Sequence, residues 1–119
     1  MSDLKLTANP DDHLKNVIII HPAGFLDGHT APEFKRFVQA LIQKGAVKII
    51  VDCEPLDYIS SAGLGVFMNV VQPAREAGGD IILCNQSESI RSIFETLGFN
   101  HLFKIFSKLE EARTFFASH

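Results

Sequence analysis

The sequence predicts a single α/β domain over residues 1–119, a mixed β-sheet of four to five strands with about four helices packed on it. Three observations carry that expectation. Runs rich in β-branched residues at 17–20, 47–51 and 81–84 have the composition of strands. Beside them, apolar residues recur at helical spacing, as in Phe34, Phe37, Val38, Leu41 and Ile42. The two patterns alternate, giving strand–helix–strand units that pair in parallel through right-handed crossovers. A chain of 119 residues has room for one hydrophobic core and not two.

In order along the chain, residues 4–7 alternate weakly and read as a first strand at an edge. Asn9-Pro10-Asp11-Asp12 is a turn signature, so this strand and the run at 17–20 form an antiparallel hairpin with a long loop. Pro22 and Gly24 are expected to end the second strand. Residues 25–30 then form a loop into a helix, with Thr30 and Glu33 at capping-box spacing and Pro32 in the first turn. Gly45 stops that helix, and residues 47–51 form the next strand.

A second helix begins after Ser60, with Leu64, Phe67, Met68 and Val71 at helical spacing, and runs toward Gly78-Gly79. Pro73 is expected to kink or split it. Residues 81–84 are a strand, and Ser87 caps a short helix whose apolar face is Ile90, Ile93, Phe94 and Leu97, closed by Gly98. Residues 103–106 alternate as a last short strand. Ser107 and Glu110 have capping-box spacing before a C-terminal helix with Leu109, Ala112 and Phe116 turned inward.

Composition excludes several functions. An apolar share of 46% against 21% charged is that of a folded globular domain, not a disordered one. The formal charge of −3, with both signs interspersed, supplies no basic patch for direct nucleic-acid binding. No apolar run approaches the ~20 residues a membrane helix needs, and no N-terminal stretch resembles a signal peptide, so membrane insertion is not expected and a cytoplasmic protein is. Cys53 and Cys84, with no C-x-x-C, read as two buried free thiols. Ten phenylalanines and no tryptophan point to a Phe-rich core.

The chemistry-bearing stretch is 56–67, Leu-Asp-Tyr-Ile-Ser-Ser-Ala-Gly-Leu-Gly-Val-Phe. Ser60 and Ser61 stand where a helix begins. A serine Oγ there can accept from the orphan N–H groups of the first turn, and the same groups favour a phosphate. Gly63 and Gly65 clear side chains from that turn and allow another backbone to approach. The plain reading of either serine is a helix cap; the functional one is a phosphorylatable hydroxyl on an approachable surface. Asp27, His29 and Ser61 would make a Ser–His–Asp hydrolase only with a geometry that sequence does not supply, and G-x-S-x-G is absent. A loop Asp bonding nearby N–H groups is the plainer account of Asp27. The Ala62-Gly63-Leu64-Gly65 stretch lacks the ending of a P-loop and the third glycine of a dinucleotide fingerprint, so no nucleotide cofactor is expected. The histidines have no useful metal-ligand spacing, and no metal is expected either.

Four blocks in order then resemble a stand-alone STAS domain of the bacterial anti-sigma factor antagonist type. Gly24-Phe25-Leu26-Asp27 with Thr30-Ala31 is similar to its loop before the first helix, and Leu56 to Gly65 to its central signature. Gly78-Gly79 with the strand after it and Ile90 to Phe99 are similar to its third and fourth blocks. The resemblance implies a binding module and not an enzyme. Ser61 would be phosphorylated by a partner that is both a GHKL-type ATPase serine kinase and the anti-sigma factor. A serine phosphatase would reset the cycle. Unphosphorylated, the protein would hold the anti-sigma factor and free a sigma factor. Partner contact would fall on Asp27, Ser60, Ser61, Gly63, Leu64 and Gly65. Many members carry Asp where this chain has Ser60, which makes Ser60 the alternative acceptor. The other role the resemblance allows is a scaffold subunit of a membrane transport or lipid-trafficking complex.

Overall fold

A computed structural model describes residues 3–119. Its elements in chain order are β1 (Leu4–Pro10), β2 (Val17–Leu26), α1 (Ala31–Gln43), β3 (Lys48–Asp52), β4 (Leu56–Ile59), α2 (Ser61–Glu76), β5 (Asp80–Cys84), α3 (Glu88–Thr96), a 3-10 turn (Phe99–His101), β6 (Ile105–Phe106) and α4 (Leu109–Ser118). The described strands form one mixed sheet in the order β1-β2-β3-β5-β6, with β4 pairing β2 off that path. Only β1–β2 is antiparallel; β2–β3, β2–β4, β3–β5 and β5–β6 run parallel.

Side chains of a strand alternate between faces, and the two central strands show it directly. Ile49, Val51, Ile81 and Leu83 join the core under α1, α2 and α3, whereas Ile50, Ile82 and Cys84 pack with Ala112 and Phe116 of α4 on the other face. The larger core is Phe-rich as expected: Phe67 lies 5.1 Å from Phe34, 5.9 Å from Phe103 and 6.2 Å from Phe94, ring centre to ring centre. Of the apolar cluster at 99–103, Phe103 is buried, Phe99 half-buried and Leu102 exposed. Both cysteines are free and buried, and burial raises both thiols, Cys84 to about 12.

Several boundaries differ from the sequence reading. β1 continues through Pro10, and the turn begins at Asp11. An edge strand tolerates the proline because only one side of it is paired. β2 runs on through Pro22 and Gly24 to Leu26. β3 pairs β2 as far as Ile20, and β4 takes over at Gly24, whose N–H donates to Pro55 O. Pro22 sits two residues earlier and faces the same side, in the gap between the two partners, where no carbonyl asks for its missing N–H.

The short strand β4 was not anticipated; the sequence reading runs from the 47–51 strand through a loop to the helix. Pro73 neither splits nor ends α2, which is one helix to Glu76. The proline and Asn69, whose carbonyl loses its bond, are both exposed, so water replaces what the ring removes. Thr30 forms no capping box, because its hydroxyl donates to Phe25 O instead (2.8 Å). At α4 the capping acid is Glu111, which accepts from Ser107 N and Lys108 N; Glu110 pairs with Arg113.

Candidate functional site

The parallel pair β2–β4 builds the site. Its register sets Leu26 beside Ile59, so the residues that follow, Asp27 and Ser60, leave the sheet side by side. Ser60 N donates to Leu26 O at 3.0 Å and stitches the start of α2 to the end of β2. The loop after β2 therefore lies against the first turn of α2. An ideal Cβ on Gly28 would be 3.5 Å from the Ala62 methyl, ordinary contact distance.

The two serines have different tasks. Ser60 is the N-cap of α2, in an extended conformation, and its Oγ accepts from Gly63 N at 3.1 Å. That engagement contributes about 1 kcal/mol to the helix. Ser61 is the first helical residue and is exposed, and its hydroxyl makes no hydrogen bond to another described residue. The N–H groups of Ser61 and Ala62, orphans of the first turn, also lack an acceptor among the described residues. They are open to an anionic oxygen, which the N-terminal end of the helix dipole favours.

Asp27 holds its own loop. One carboxylate oxygen, Oδ1, accepts from His29 N (2.9 Å) and Thr30 N (3.1 Å), and Asp27 N donates to Thr30 Oγ1 (3.0 Å). This is the plain reading of a loop Asp. Its other oxygen, Oδ2, has no partner among the described residues, so the half-buried carboxylate keeps one face for a contact from outside. His29 is exposed and forms no bond to Ser61, and Asp27 addresses backbone N–H groups instead of an imidazole. Ser61, His29 and Asp27 are thus brought to one end of the sheet but not into a triad. Among the described residues no group of three His, Cys, Asp or Glu side chains has the arrangement of a metal site.

Of the two glycines in α2, Gly65 is the open one. It is half-buried, and a Cβ there would meet nothing within 4 Å. Gly63 is buried, and a Cβ on it would overlap the Leu26 carbonyl oxygen and lie 2.9 Å from the carbonyl carbon and 3.1 Å from Ile59 Cγ1. The backbone that approaches Gly63 is therefore the chain's own. Leu64 is fully buried in the core. Gly63 and Leu64, expected at a partner surface, both face inward, because the first turn of α2 is pressed onto the end of β2.

The exposed surface around Ser61 has parts the sequence reading did not single out. A groove of about 440 Å³ runs between α1 and α2, lined by Pro32, Lys35, Ala62, Gly65 and Asn69 among others. Pro32 and Lys35 share a face at i, i+3 spacing, which was readable once α1 was drawn. Phe25 and Tyr58, adjacent across β2–β4, are 47% and 45% exposed with ring centres 6.0 Å apart. The pair adds exposed apolar surface where β2 and β4 run toward Asp27 and Ser60. Their signal was weak, since strand β4 has to be recognised before Tyr58 acquires a face.

The sequence profile of the STAS domain family matches residues 10–112. Over 113 residues the chain is 31% identical to the Bordetella bronchiseptica protein named "Putative anti-sigma factor antagonist BtrV", covering 95% of each. It is 29% identical over 96 residues to the anti-sigma-B factor antagonist of Bacillus subtilis, covering 81% of this chain and 87% of that one. The crystal structure of tm1081 from Thermotoga maritima has the same fold, with a TM-score of 0.83 at 24% identity over 92% of each chain. Among the described residues no helix is long and apolar enough to cross a membrane.

Proposed function

Because the chain belongs to the STAS domain family, we propose that it is an anti-sigma factor antagonist whose binding is switched by phosphorylation of Ser61. Unmodified, it would hold an anti-sigma factor through the end of the domain that carries Asp27, Ser61, Gly65 and the α1–α2 groove, and so release a sigma factor. The kinase would be that same partner, a GHKL-type ATPase, and a serine phosphatase would restore the binding form. Nothing in this cycle asks the domain itself to catalyse a reaction. Its relatives with that name, similar along most of their length, support the antagonist reading.

The observation that carries the switch is the division of labour between the serines. Ser60 spends its hydroxyl on Gly63 N, whereas Ser61 is exposed with its hydroxyl uncommitted. A phosphate adds roughly −1.5 to −2 charge. On Ser61 it would lie beside the open N–H groups of the first turn, where an anion is favoured by about 0.3–1 kcal/mol. The fold therefore tolerates the modification. A partner packed across Gly65 and Asp27 would meet a bulky dianion, so the complex carries the penalty.

The test is to incubate the protein with the candidate anti-sigma kinase and ATP, then place the phosphate by tandem mass spectrometry. Modification at Ser61, lost in Ser61→Ala and retained in Ser60→Ala, is the expected result. Phosphate found only on Ser60 would reject the assignment.

A further inference from the structure

We propose that a second pocket, at the carboxyl ends of β5 and β6, binds a small zwitterionic amide, namely a free amino acid with a carboxamide side chain. This inference is independent of the antagonist reading and of Ser61, since the pocket shares no lining residue with the α1–α2 groove.

The pocket measures about 500 Å³, within the usual range for small-molecule sites, and opens outside the strand ends where open α/β sheets place their ligands. Gln86, Arg91, Glu95 and Asn100 give it polar walls, and Phe103 and Phe106 contribute an apolar floor.

Gln86 is the residue that asks for a ligand. Its Nε2 and Oε1 are both buried and neither has a hydrogen-bond partner, the one such case among the described residues. Buried side-chain amides are almost always paired, and an unpaired one is costly. The backbone holds the residue in place: Asn85 before it is left-handed (φ 57°) and donates to Asp52 Oδ1, and Ser87 after it caps α3. A carboxylate could satisfy Nε2 but would leave Oε1 facing another acceptor. An ammonium would do the reverse. A second amide, with a donor and an acceptor on one planar edge, satisfies both at once.

Arg91 and Glu95 define the other end of the ligand. They are one turn apart on α3, exposed, and neither forms an ion pair with a described residue. A cation and an anion at that spacing complement the α-carboxylate and α-ammonium of an amino acid. The phenyl rings then cover the methylenes between the two ends.

The probe is L-glutamine, titrated into isotopically labelled protein and followed by NMR, with melting temperature as a parallel readout. Saturable shifts at Gln86, Arg91, Glu95 and Asn100 are expected, together with a rise in melting temperature. L-glutamate should bind about tenfold more weakly or worse, since a site built to pair an amide rejects the analogue that cannot. Gln86→Leu should abolish the shifts while leaving the ligand-free melting temperature unchanged or higher, because it removes an unpaired amide. Arg91→Ala, at an exposed position, should also weaken binding without unfolding the chain. Absence of saturable shifts with L-glutamine, equal binding of L-glutamate, or a lower ligand-free melting temperature in Gln86→Leu would each overturn the proposal.

Discussion

Replacing Gly63 by alanine puts a methyl group into the Leu26 carbonyl, while the same change at Gly65, two residues on, meets open space. The pair therefore separates helix propensity from packing at one helix start. Alanine is preferred over glycine inside a helix by about 1 kcal/mol, and both sites gain that term. At Gly65 nothing opposes it, so Gly65→Ala should stabilise the protein by about 0.5–1 kcal/mol, or roughly 2–6 °C in melting temperature for a domain of this size. At Gly63 the new Cβ would also lie 2.9 Å from a backbone carbon and 3.1 Å from Ile59 Cγ1. Relief requires moving α2 away from β2, which strains the Ser60 N to Leu26 O bond at 3.0 Å. Overpacking costs about 1–3 kcal/mol and a weakened hydrogen bond about 1 more. After the propensity gain, Gly63→Ala should be destabilised by about 1–3 kcal/mol. Urea denaturation of the two variants against wild type is the assay. A Gly63→Ala protein as stable as Gly65→Ala would refute the claim that the chain's own backbone fills this approach.

Further expectations follow from the site and its support. Ser60→Ala should cost about 1 kcal/mol in denaturant melts by removing the cap, whereas Ser61→Ala should stay within about 0.5 kcal/mol of wild type. Asp11, pinned to α4 by Arg113, gives a pH dependence. Burial raises its carboxyl, but the Arg113 hydrogen bond and the His13 and Leu14 N–H groups outweigh that and hold it at about 2 against an ordinary 3.8. A folded pKa below the unfolded one contributes stability above about 3.8 that disappears as pH falls through about 2. The stability lost in Asp11→Asn, measured by urea melts, should thus be full at neutral pH and shrink below pH 4. A loss that grows with acid would contradict the pairing.

The strand–helix alternation, the parallel pairing across the crossovers and the cap at Ser87 were legible because each rests on local chemistry that the fold keeps. The errors around the second strand share one cause. Pro22 and Gly24 read as strand breakers, yet the sheet places Pro22 where β2 changes parallel partners, and that vacancy depends on β4. Without β4, Tyr58 and Phe25 have no face and Asp27 has no register with Ser60. The glycines show the same limit. Sequence says that Gly63 and Gly65 permit close approach, but only the packing of α2 on Leu26 decides that one is filled from inside and the other faces out. Likewise the capping acid of α4 lies one residue past the predicted one, a choice made by the pairing of Arg113 with Asp11 and Glu110.

The central claim is that a phosphate on Ser61 acts on the complex and not on the fold. Its most direct test is calorimetric titration of the anti-sigma partner with unmodified and Ser61-phosphorylated protein, alongside the melting temperature of each form alone. The account predicts a loss of affinity of at least about tenfold, equivalent to 1.4 kcal/mol, with the two melting temperatures within a few degrees of one another. Equal affinities for both forms, or a phosphorylated protein that binds weakly only because it has unfolded, would contradict it.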